Sequence, residues 1–141
     1  EVNPKSKHLV IHMMEDQKER IKNKEYGGTI RLGAWPCKLK KGSLLEKMYM
    51  KYPNELYKDI PIVQERHRHR YEFNNEYRDL FEENGLILSG ISPDGKLIEA
   101  VELPQSVHPY FIGTQYHPEL KSRFLTPHPL FLGFVEACKK I

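Results

Sequence analysis

Three short stretches of this chain combine residue types that move protons or grip anions. They are Tyr116-His117-Pro118-Glu119, Arg66-His67-Arg68-His69-Arg70 and Gly27-Gly28-Thr29-Ile30-Arg31-Leu32-Gly33. In the first, a proline between an imidazole and a carboxylate restricts the backbone, so His117 can serve as a base and Glu119 as the group that orients it. An H-P-E triplet is short, and a loop histidine beside a surface acid fits the spacing slightly better when nothing else is considered. In the second, an extended backbone with its period of two puts the three arginines on one face and both histidines on the other. A phosphate or RNA track and a His67/His69 metal pair are both compatible with that pattern. A structural strand with its arginines paired to nearby acids fits better, because only Tyr71 is at hand for base stacking and His8, His12, His108 and His128 show no zinc-type spacing with the cysteines. One anion-binding arginine remains compatible with it, since a guanidinium fork matches a carboxylate. The third stretch lacks the lysine and hydroxyl residue of a phosphate-binding loop and reads as a turn entering a strand.

These residues need elements to hold them. A short apolar run, Leu9 to Met14, suits a buried strand, while the charged stretch Glu15 to Tyr26 reads as a surface excursion. A β-rich stretch from Gly27 ends at Lys40-Lys41-Gly42. Ser43 and Glu46 then form a capping-box pattern ahead of Leu44, Leu45, Met48 and Tyr49 on one helical face. Ile60 to Glu65 leads into the arginine–histidine run, after which Asn74 or Asn75 caps a helix carrying Tyr77, Leu80 and Phe81 and ending at Gly85. Leu86 to Ile91 and Leu97 to Leu103 form a hairpin around Ser92-Pro93-Asp94-Gly95. A final strand, Tyr110 to Tyr116, delivers His117 to its end, the edge at which open α/β sheets keep their chemistry. Pro129 starts a core-facing helix with Leu130, Phe131, Phe134, Val135 and Cys138 at helical spacing.

Composition bounds the rest. With 141 residues, 39% hydrophobic and 29% charged, the chain is of single-domain size and can bury a core. No run reaches the roughly 18 apolar residues that span a bilayer, and no signal peptide precedes His8. Lys+Arg 22 against Asp+Glu 19 gives +3, too mild an excess to indicate a nucleic-acid partner. Two cysteines, Cys37 and Cys138, read as packed thiols of a reducing compartment. Neither lies in a G-x-C-x-G turn.

Four segments in one order change the weight of these readings: G-G-T-I-R-L-G from Gly27, E-R-H-R-H-R-Y-E-F-N from Glu65, Q-Y-H-P-E-L-K-S-R from Gln115 and P-H-P-L-F-L-G-F-V from Pro127. The order resembles the glutaminase domain of the CTP synthase family, a branch of the class I glutamine amidotransferases, over nearly the whole chain. The resemblance implies an α/β fold, an open mostly parallel sheet with flanking helices, incomplete on its N-terminal side. It implies glutamine hydrolysis by a cysteine nucleophile, with His117 as proton shuttle, Glu119 as its orienter, and Arg70 and Glu1 at the glutamine site. It further implies a homo-oligomeric (tetrameric) cytoplasmic parent of pyrimidine biosynthesis that uses the ammonia to convert UTP to CTP. The parent's ATP and magnesium sites would lie in a synthetase domain outside this chain, with no cofactor, nucleic acid or membrane engaged by this segment. The family's nucleophile lies in a G-x-C-x-G-M-Q elbow upstream of the position of Glu1, so residues 1–141 are expected to form the C-terminal part of the domain, inert in isolation. Phe124 stands where the family commonly has proline. Another class I amidotransferase and a non-catalytic basic binding module are the alternatives.

Overall fold

A computed structural model of the chain describes residue 3 and residues 5–13, 31–53 and 55–139. Glu1 and the segments 14–30 and 140–141 lie outside them, so the readings placed on Glu1, on Glu15 to Tyr26 and on the Gly27-Gly28 turn do too. Among the described residues there are seven strands: β1 (Ile11–Met13), β2 (Arg31–Leu39), β3 (Ile62–His69), β4 (Tyr71–Phe73), β5 (Ile87–Ile91), β6 (Ile98–Glu102) and β7 (Ile112–Thr114). Three α-helices join them: α1 (Leu44–Lys51), α2 (Arg78–Glu83) and α3 (Pro129–Cys138). Five strands form one sheet in the order β3-β2-β5-β6-β7, and β1 pairs with β4 in a separate ribbon.

The α/β class and the flanking helices hold, but every described pairing is antiparallel, which corrects the mostly parallel sheet. For two of these pairings the connections give the reason. Parallel neighbours need a crossover of a dozen or more residues, usually helical. Here β5 and β6 are joined by a tight turn in which Ser92 O accepts from Gly95 N at 2.8 Å, with Gly95 at φ 76°. A helix-free loop links β6 to β7.

Local chemistry sets the element boundaries. The Ser43 hydroxyl accepts from Glu46 N at 3.0 Å, and the Glu46 carboxylate accepts from Gly42 N at 2.6 Å, one residue before the partner expected of a capping box. The α1 start is also held by the buried Glu102 carboxylate, which accepts from Leu44 N at 2.8 Å and Leu45 N at 2.9 Å. Asn74 caps the turn leading into α2, its side-chain oxygen accepting from Glu76 N at 3.1 Å. The main core joins Cys37, Leu39, Leu45, Tyr49, Tyr57, Val63, Ala100, Tyr116 and Leu130. A smaller one gathers Phe73, Leu88 and Ile98 beside Phe81. Gly90 lies where β5 departs from regular register with β6, and a Cβ there would meet Cys37 Sγ at 2.7 Å.

Three further expectations need correction. β1 is not a buried strand, because its ribbon leaves Ile11 exposed. α3 buries Leu130 and Gly133 but exposes Phe131, Phe134 and Val135, so it is core-facing only along a narrow stripe. Both cysteines are free, yet only Cys37 is packed; Cys138 is exposed at the end of α3.

The sheet's two edges meet. After β7, Gln115 N still bonds to Glu99 O of β6 at 2.8 Å, and two residues later His117 N donates to Arg66 O of β3 at 2.8 Å. Strands at opposite ends of the five-strand order are therefore stitched together by residues 115–117. The sheet curls into a nearly closed form, and His117 sits on its seam.

Candidate active site at the sheet seam

His117 leads a 3-10 turn, Pro118–Leu120, in which Pro118 holds the first position and Glu119 follows one residue later. That geometry brings His117 Nδ1 to 2.6 Å from Glu119 Oε1. Glu119 has only a carboxylate to offer, so Nδ1–H donates, and the neutral ring then carries its lone pair on Nε2, the atom a base needs. The hydrogen bond from His117 is the main cause holding the Glu119 carboxyl below its ordinary range, with burial opposing it. Side-chain exposures of 39% for His117 and 57% for Glu119 leave the pair open to a reacting group.

β3 carries the second candidate group, and its alternation is as expected: Glu65 and His67 are buried while Arg66 and Arg68 are exposed. Neither of those arginines has an ion-pair partner among the described residues, which corrects the expectation that nearby acids pair them. The two histidines bond to each other. His69 Nδ1 donates to Tyr71 O at 2.8 Å, which leaves Nε2 to accept from His67 Nδ1, also at 2.8 Å. Burial is the largest cause pulling His67 down to about 3, with Arg31 and His69 adding to it, and burial likewise lowers His69. Arg31 meanwhile pairs with the buried Glu99, its NH2 at 2.7 Å from Oε1. His117 contributes to the electrostatic field at both β3 histidines.

Arg70 lies just beyond β3, half-buried, and makes no hydrogen bond or ion pair among the described residues. It stands four residues along the chain from Arg66, whose carbonyl holds His117, roughly 13 Å of extended strand. The structure thus bonds His117 to Glu119 and to β3, whereas Arg70 stands past the strand's end and no bond joins it to either among the described residues.

Cys37 is fully buried, and burial, with the Glu99 and Glu65 charges adding to it, drives its thiol far above the ordinary range, so it makes no thiolate at neutral pH. Among the described residues no group of three His, Cys, Asp or Glu side chains could hold a metal ion. No described helix is long and apolar enough to cross a membrane.

Sequence reasoning missed a buried cluster behind the seam. Glu65 Oε1 accepts from the Tyr49 hydroxyl at 2.8 Å and lies 3.1 Å from His128 Nε2 and 3.8 Å from Lys121 Nζ. His128 Nδ1 accepts from Leu130 N at the start of α3, so its Nε2–H is free to donate to Glu65. Burial holds the Tyr49 and Tyr116 phenols protonated, well above their ordinary values. Glu65, Lys121 and His128 lie within the quoted segments and Tyr49 does not, and no spacing relates positions 49, 65, 121 and 128.

The fold is thus a curled antiparallel sheet with flanking helices, and a bonded histidine–glutamate pair sits on its seam. The family model for class I glutamine amidotransferases matches residues 10–137, and the chain belongs to that family. Within it the likeness is to the CTP synthases. The chain is 50% identical over 141 residues to the CTP synthase of Thermobifida fusca (strain YX), 99% of this chain and 24% of that one. It is 53% identical over 137 residues to that of Clostridium kluyveri, 97% and 23% of the respective chains. Among solved structures, the glutaminase domain of Trypanosoma brucei CTPS with bound acivicin superposes with a TM-score of 0.79 at 31% identity, covering 98% of this chain and 48% of that one. The chain spans about a quarter of the length of the curated relatives it matches.

Proposed function

We propose that this chain supplies the proton-transfer half of a glutaminase site in a CTP synthase, with residues 1–141 forming the C-terminal part of the glutaminase domain. The carrying observation is the 2.6 Å contact between His117 Nδ1 and Glu119 Oε1, which leaves Nε2 with no hydrogen bond among the described residues. A cysteine thiol from outside this chain loses its proton to His117 Nε2 and attacks the side-chain amide carbon of glutamine. The tetrahedral adduct collapses to a thioester as Nε2–H passes its proton to the departing ammonia. Water, deprotonated by the same nitrogen, releases glutamate. Glu119 fixes the ring and stabilises the imidazolium between transfers. Arg70, which has no partner among the described residues, pairs with the α-carboxylate of glutamine, and Glu1 assists at the same site. The ammonia then aminates UTP at the expense of ATP, with magnesium, in a synthetase domain of a cytoplasmic homo-oligomer. By this reading the isolated segment is inert.

The test is His117→Ala in the full-length protein, assayed for CTP formation from glutamine and from added ammonia. The expected result is a loss of at least about 100-fold with glutamine, the usual worth of a general base, and an unchanged rate with ammonia. Equal loss with both nitrogen sources would give His117 a structural role and end this reading.

A further inference from the structure

The turn carrying His117 is fastened to β3 at both ends. Its first residue donates its amide to Arg66 O at 2.8 Å, and its last, Lys121, donates from Nζ to Gln64 O. Carbonyls two residues apart on a strand point to the same side, and β3 is the edge strand whose other side pairs with β2. The turn thus occupies the free edge of β3 through one backbone and one side-chain donor. Lys121 is further held where the strand's buried side chains converge. Its ammonium lies 3.8 Å from Glu65 Oε1 and 4.2 Å from the centroid of the Tyr57 ring, with only 13% of the side chain exposed. Glu65 in turn is fixed by Tyr49 and by His128 at the head of α3, and Ser122 Oγ accepts from His128 N at 3.1 Å, which closes the loop back onto the turn.

We infer that Lys121 is a positioning residue for His117: by clamping the far end of the 117–121 turn to Gln64 O and the Glu65 carboxylate, it holds the imidazole at the seam in the orientation that Glu119 completes. A lysine is suited to this role because one terminal group can serve a carbonyl, a carboxylate and a ring face together. The inference rests on the proposed glutaminase reading for its effect on rate, whereas the clamp itself can be measured without any activity.

The experiment compares Lys121→Met, Lys121→Gln and Lys121→Arg in the full-length protein. In Lys121→Met, hydrogen exchange at the His117 and Ser122 amides should speed up at least tenfold, with exchange in β6 unchanged. The glutamine-dependent kcat should fall at least tenfold while KM for glutamine and the ammonia-dependent rate stay within twofold. Lys121→Gln, which keeps a donor for Gln64 O but no charge, should fall between, and Lys121→Arg should recover most of the rate. Unchanged exchange at His117 in both the Met and Gln variants would overturn the clamp. Faster exchange with an unaltered kcat would overturn the positioning role, as would equal losses with both nitrogen sources. Should the wild-type protein lack glutaminase activity, the function reading fails, and the exchange result alone decides the clamp.

Discussion

Replacing Glu119 separates two services that a carboxylate gives a histidine. The carboxylate selects the tautomer, by accepting from Nδ1–H, and it stabilises the imidazolium that forms when Nε2 takes a proton. Glu119→Gln keeps an acceptor oxygen at the same reach and removes the charge; Glu119→Ala removes both. A hydrogen bond to a charged group is worth about 1.5–3 kcal/mol and one between neutral groups about 1 kcal/mol. Both side chains are more than a third exposed, which puts the pair at the lower end, near 1.5 kcal/mol. The Gln variant should therefore lose somewhat under 1 kcal/mol of transition-state stabilisation, roughly a two- to fivefold drop in glutamine-dependent kcat. The Ala variant loses the whole contact and the ring's orientation, roughly a ten- to thirtyfold drop. The assay is steady-state CTP formation by the full-length protein from glutamine, with ammonia as the internal control. An Ala variant within twofold of wild type, or a Gln variant as damaged as Ala, would refute the argument. The first would show that the 2.6 Å contact does not orient the base, the second that only charge matters.

Two further outcomes follow from the same strand. Arg70→Ala should raise KM for glutamine by roughly ten- to a hundredfold, the equivalent of about 1.5–3 kcal/mol for a charge-assisted bond, and spare the ammonia-dependent rate. Arg70→Lys should rescue only in part, because it lacks the planar fork; an unchanged KM would remove Arg70 from the glutamine site. For stability, His67 is held neutral down to about 3, while an unfolded histidine takes a proton near 6.5. The unfolded state thus binds more protons as pH falls from about 6.5 toward 3, and stability should decline across that window by up to about 1.4 kcal/mol per pH unit from this group. Urea melts from pH 4 to 7 should show His67→Gln with a shallower slope than wild type, and identical slopes would mean that His67 is not the group responsible.

Local patterns were legible where a single segment contains all the physics. The alternation in β3, the Ser43 and Asn74 caps and the Ser92–Gly95 turn depend on residues two to four positions apart. Pairing direction was not legible, because apolar runs of equal length serve parallel and antiparallel neighbours alike. The tight β5–β6 turn and the helix-free β6–β7 loop decide it for those two pairs, while β2 and β3 pair antiparallel across a helix-containing connection that could have served either direction.

The site divides along the same line. Sequence by itself determined that His117 and Glu119 flank a proline, that Arg70 follows a strand with segregated faces, and which family the segments resemble. Spacing alone could not raise H-P-E above a surface pair. Tertiary structure decided that His117 lies on the seam between the two edges of a curled sheet, tied to Arg66 O. It also decided that Glu65, Lys121 and His128 meet behind it, and that Cys37 is sealed in the core. The physical reason is distance along the chain: positions 65, 121 and 128 become neighbours only when the sheet curls, and a buried carboxylate that gathers a lysine, a tyrosine and a histidine leaves no periodic mark in the residues between them.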